Sequence, residues 1–439
     1  TMSNGDKIAV LQKDYIHTIL RPTQSLLQRW LREVHKLRVF VQQAAAGNFI
    51  FNLYSFPAPN NIGKWERFNN IQSYNTYEEA LVVEATITNE LKKQEITLTK
   101  TVRLEETEIQ IEKGAEVYIT DNSGMIYNFE EEDGRYISTT EFQIIPDVTY
   151  RLSITTKDGR SFESTSEKLP TINPMQNVTA TVETKDSLRG VSIRVNTYDP
   201  TNSSKYYRYE YEETYKIIAP KWVASKATFN GPELVLVPND KDIITCYSTK
   251  KNTTILLNST VAFNEDRANY VIRFISDQNY IISHRYSILV KQYIENLAAY
   301  NYYKTLKKIS ESGSILSPTQ PGILLGNISP TNGSNDKIVG YFDVTSVSTE
   351  RIYFNYADLF PFEPLPPYYT DCKEFCYAPY PFNPEPCTHD GNYALDLDLD
   401  KITYYVGSGA PGTFIFWVNA PCGDCTTFSS NIKPPFWVD

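Results

Sequence analysis

Five of the chain's six cysteines crowd its last 68 residues: Cys372, Cys376, Cys387, Cys422 and Cys425, with Cys246 far upstream. Thiols at such spacing can hold zinc, carry redox chemistry or close disulfides. Zinc fits poorly, although His389 is near. The first pair is Cys-x3-Cys rather than the usual Cys-x2-Cys, and a fifth cysteine is left over. A redox Cys-x2-Cys needs a helix N-terminus to lower one thiol pKa. The stretch "NAPCGDCTTF" around Cys422 and Cys425 reads instead as a loop. Disulfides are the favoured reading for the five clustered cysteines. Phe436 and Trp437 would then pack as a terminal plug.

Two other groups carry potential chemistry. In "ALDLDLDK", Asp396, Asp398 and Asp400 would share one side of a strand, because strand side chains alternate. Such a face could bind calcium, but the Gly and Glu of an EF-hand loop are missing, so a solvated sheet face is the simpler reading. The chain has four histidines, His17, His35, His284 and His389, and no His-Glu-x-x-His, Gly-x-Ser-x-Gly or phosphate loop. We therefore expect no enzymatic activity, no catalytic residue, no bound metal and no cofactor.

The elements that must position these residues are mostly strands. Tyr (32) and Phe (21) are abundant and Met (3) is scarce, a composition suited to half-exposed sheet faces. Clustered cysteines in such a protein suggest an oxidising compartment and hence export. The net charge is -10, and residues 1–75 alone carry nine Lys/Arg against four Asp/Glu. The rest is therefore strongly acidic, which argues against nucleic acid as partner.

Residues 1–75 form an atypical basic segment. In "SLLQRWLREVHKLRVFVQQ", Leu27, Trp30, Leu31, Val34, Leu37 and Val41 fall at helical spacing, predicting an amphipathic helix. From about Tyr77 short alternating runs take over, punctuated by Asp133-Gly134 and Asp158-Gly159. They predict an Ig- or fibronectin-like antiparallel β-sandwich over 76–172. A second β-rich domain follows over 173–439, with one long helix at about 288–311.

Several segments then resemble a known family in their order: "LVVEATIT", "GAEVYITDNSG", "YRLSITTKDGRSFES", "RYEYEETYKI", "GYFDVTSVSTERIYF" and the terminal "CGDC…KPPFW". That order resembles the Bacteroidota outer-membrane lipoproteins grouped as domain of unknown function 4249, from about Glu78 to Asp439. The resemblance implies an outer-membrane, cell-surface lipoprotein. Its implied partner is a SusC-type TonB-dependent barrel, which it would serve as a SusD-like lid or accessory subunit. It also implies a lipid anchor, although residues 1–75 hold no cysteine.

The loop from Phe360 to Pro386 is dense in proline and aromatics, which forbids a central strand and suits an interface. Phe362, Tyr368, Tyr369, Phe375, Tyr380 and Phe382, with Trp437, are the candidate partner-binding residues. A free-standing surface glycan-binding or adhesion module is the alternative reading.

Overall fold

In the computed structural model, a single strand of 19 residues, Lys337–Asn355, joins two hydrophobic cores. Its first half pairs in parallel with Ala80–Thr88, from Lys337↔Ala80 to Thr345↔Thr88. Its second half pairs antiparallel with Arg285–Ile294. The structure describes residues 79–439 except 103–108, 312–323, 325, 332, 378–386, 388–392 and 409–413. Towards the N-terminus it describes only the strands Leu37–Gln43 and Phe49–Ser55.

The chain is mainly β with few helices, as its composition predicts. On one side of the long strand, Ala80–Thr88 leads into antiparallel strands at Glu95–Lys100, Arg135–Ser138, Ile126–Glu132, Glu116–Asp121, Thr149–Thr155 and Ser161–Ser164. Alternate residues of these strands, among them Leu81, Val83, Ile96, Leu98, Val117, Ile119, Leu152 and Ile154, bury one common core with Phe342 and Val344. Asp133 and Gly134 both have positive φ and form the expected two-residue hairpin turn between Glu132 and Arg135.

On the other side lie Arg285–Ile294, Tyr206–Ile218 and Thr245–Lys251. A separate three-stranded sheet, Asn177–Lys185, Leu188–Asp199 and Asp266–Ser276, contributes to the same core. Val191, Ile193 and Val195 from the small sheet meet Tyr207, Tyr209, Ile288 and Val290 there. A third, small core gathers Ala227, Ile402 and Trp417 under the hairpins Ser225–Asn230/Glu233–Pro238 and Ile402–Ser408/Phe414–Asn419.

Three expectations are corrected. The helix expected at 288–311 spans Leu297–Glu311, and the residues before it form the strand Arg285–Ile294. Tyr286, Ile288, Val290 and Ile294 are buried at a period of two, and both edges of the strand are paired. The helix starts where the Asn296 side chain accepts the Ala299 N–H at 2.8 Å. The "ALDLDLDK" segment is a short helix, Tyr393–Asp398, not a strand. At a helical 100° per residue Asp396 and Asp398 point apart, and Asp396 instead accepts from the Tyr377 hydroxyl at 2.8 Å. Finally, Leu37–Gln43 is a strand paired with Phe49–Ser55, where Val39, Phe40 and Val41 favour β-structure. The remainder of the expected amphipathic helix lies outside the described residues.

Candidate functional site

All six cysteines are paired: Cys246–Cys425, Cys372–Cys422 and Cys376–Cys387. Cys422 and Cys425 therefore act as two separate anchors, the first within a one-turn helix, Ala420–Gly423. Cys246 completes the set that spacing alone left open. It sits buried on the strand Thr245–Lys251, so its disulfide ties the chain's end to the edge of the large sheet. The terminus is fastened further by Tyr353, whose hydroxyl donates to the Phe436 carbonyl at 2.6 Å. The Arg351 guanidinium lies 3.6 Å from the Phe436 ring centre. Trp437 is 5% exposed and meets Tyr247 and Tyr353 edge-on, so it is a plug in the fold rather than a contact for a partner.

The proline-rich loop divides sharply. Phe375 pairs by backbone with Trp417 (N···O 3.0 and 2.8 Å) and packs in the small core. Tyr368 is half-buried against the second core and donates to the Pro421 carbonyl at 3.0 Å. Tyr369 is partly exposed beside Phe428, ring centres 4.3 Å apart. Tyr380 and Phe382 lie outside the described residues. Phe362 is fully exposed, with a left-handed backbone (φ 64°) that aromatic residues seldom adopt. Leu365, 54% exposed, stands three residues on and was missed in the sequence because one Leu among prolines carries no signal.

This tip is held from both sides. Arg189 donates to Asp277 (2.6 Å) and forks onto both carboxylate oxygens of Glu363, and its guanidinium covers the Phe360 ring at 5.1 Å. The Tyr356 hydroxyl donates to the Pro364 carbonyl at 3.1 Å. Phe362 thus projects from a clamped turn.

A second constellation lies near the other end of the long strand. Along Tyr206–Ile218, Tyr207 and Tyr209 enter the core, while Arg208 takes the opposite face, which the helix Leu297–Glu311 helps to cover. Arg208 is buried and donates to Glu295 (2.7 Å), Glu210 (2.5 Å) and Asp343 (3.3 Å). The rings of Tyr293 and Tyr303 lie 4.0 and 4.6 Å from its guanidinium. One oxygen of Glu295 and one of Asp343 lack a partner if both groups are ionised. Both carboxyls meet the one Arg208 guanidinium, and two buried carboxyls beside a single cation favour keeping a proton between them. Burial, then the charge of Asp343, pushes the Glu295 carboxyl well above its usual range. Burial also raises Asp343, against the opposing pull of Arg208 and the Glu295 hydrogen bond. Burial thus favours the neutral form at both positions.

Beside this cluster opens a cavity of about 480 Å³, lined by residues of five consecutive strands and by Tyr302, Tyr303 and Leu306 of the helix. No sequence motif pointed to it. Its signal was the period-two charge in "RYEYE", where Arg208 and Glu210 alternate with buried or half-buried tyrosines.

Among the described residues, no helix is long and apolar enough to cross a membrane. No curated protein matches the chain. The family model described as Domain of unknown function (DUF4249) matches residues 69–351, well over half of the chain, and the protein therefore belongs to the DUF4249 family.

Proposed function

We propose that this protein is a non-enzymatic accessory lipoprotein at the cell surface, held on an outer-membrane TonB-dependent barrel of the SusC type and working by binding alone. The observation that supports this reading most is the clamped tip at Phe362. A fully exposed aromatic in a strained backbone, pinned by a forked Arg189–Glu363 pair, is unfavourable for an isolated chain. It suits an anchor that enters a partner's pocket with little ordering cost. Leu365 and the partly exposed Tyr369 extend the contact.

The test is co-purification from the native host in mild detergent. The full-length protein brings down a TonB-dependent barrel, and Phe362→Ala with Leu365→Ser loses it while keeping the wild-type melting curve. These two changes are cleaner than removing the loop, which would break two disulfides and strip Phe375 from the small core. Recovery of the barrel at wild-type level with the double variant would overturn the assignment of this surface. Absence of any barrel with the unaltered protein would overturn the reading itself.

A further inference from the structure

The cavity beside Arg208 crosses residues of five neighbouring strands: Thr245–Lys251, Tyr206–Ile218, Arg285–Ile294, Lys337–Asn355 and Ala80–Thr88. Tyr302, Tyr303 and Leu306 of the helix Leu297–Glu311 complete the walls of this groove. Its volume, about 480 Å³, lies within the range of ligand sites.

Its charge is balanced and interspersed. Three acids, Glu84, Glu210 and Glu212, share the lining with three bases, Arg208, Lys251 and Lys291. Glu210 stands opposite Lys291 across one ladder, and Glu212 stands opposite Lys251 across another. No pole of one sign is left for a phosphate, a carboxylate or a free ammonium. The groove offers alternating donors and acceptors, which is what a chain of hydroxyl groups requires. Half-buried Tyr211, Tyr302 and Tyr303 add aromatic surface. Tyr341, also in the lining and 6% exposed, has a hydroxyl with no hydrogen bond of good geometry, although the Asn296 side chain stands near it. The lining is the face of a sheet. Four of its five strands are paired on both edges, so an extended peptide cannot add to them as a strand.

We propose that this groove binds a neutral oligosaccharide, lying across the strands with its sugar rings against the tyrosines. The residues that line the groove do not include those of the docking tip.

The experiment screens the purified full-length protein on arrayed neutral oligosaccharides (glucans, mannans, galactans and xylans), with sulfated glycans and a dipeptide library in parallel. The strongest binder is then titrated calorimetrically. The expected result is binding of at least one neutral glycan and of neither other class. Tyr341→Phe then weakens binding by tenfold or more with an unchanged or raised melting temperature, because it deletes a buried hydroxyl that lacks a good partner. Tyr302→Leu weakens it as well. Phe362→Ala binds the glycan normally, which separates this site from the docking surface. The proposal is overturned if no neutral glycan binds, if dipeptides or sulfated glycans bind instead, or if both tyrosine variants bind like the wild type.

Discussion

Replacing Glu295 with Gln isolates the shared proton beneath the groove. The amide keeps the shape of the protonated carboxyl and can still donate to Asp343. Glu295 is buried and its carboxyl is held well above the usual range, so between the unfolded value and the folded one the native state binds one proton that the unfolded chain does not. Stability from this group is fully present below about pH 4.3 and is lost as pH rises, by about 1.4 kcal/mol per pH unit. The loss continues until pH reaches the folded value, which burial holds well above the unfolded one. The elevation of Asp343 has the same sign. Urea unfolding followed by intrinsic fluorescence at pH 5, 6 and 7 reads the difference between wild type and Glu295→Gln, which cancels the contributions of other groups. The variant should match or fall below the wild type at pH 5 and gain on it steadily towards pH 7. Asp343→Asn, which removes a carboxyl partner of buried Arg208, should cost about 3–5 kcal/mol at pH 7. Parallel pH curves for wild type and Glu295→Gln would show that the carboxyls share no proton, and the account of the cluster would fall.

Thiol titration of the denatured, unreduced protein should find no free thiol, since all six cysteines are paired. Reduction should loosen the C-terminal region first, because the loops of 50 and 11 residues each contribute about 3–4 kcal/mol in the chain-entropy model. Phe362→Gly should raise stability by about 1 kcal/mol, by relieving the left-handed φ of 64°, while losing the partner; a drop in melting temperature would refute the strain. Trp437→Ala should cost about 3–5 kcal/mol and expose the terminal segment to carboxypeptidase, whereas a wild-type digestion pattern would show that the plug carries no weight.

Local signals in the sequence were read well where the chain decides structure by itself. Asp133-Gly134 dictates its hairpin because both residues tolerate positive φ. The residues around Ile288 to Leu297 satisfied helical and strand periods together, and only pairing on both edges settled the choice. The parallel partner of Ala80–Thr88 was illegible, since nothing near it specifies residues 337–345. Arg208, Glu295 and Asp343 are far apart in the chain and meet only in the folded sheet, so no spacing rule reaches them. For the aromatic loop, composition marked the right region. It could not tell Phe362, which points outward, from Phe375 and Trp437, which hold the structure together.

The long strand has a consequence for the order of events during synthesis. Ala80 pairs with Lys337, so the first core cannot close until more than half of the chain has followed it. Until then Ala80–Thr88 keeps one open edge and Phe342 and Val344 are missing from the core beneath it. Such long-range closure is slow, and an open strand edge invites pairing with other chains. A stop introduced anywhere between residues 170 and 336 should therefore give aggregates rather than a folded N-terminal sandwich.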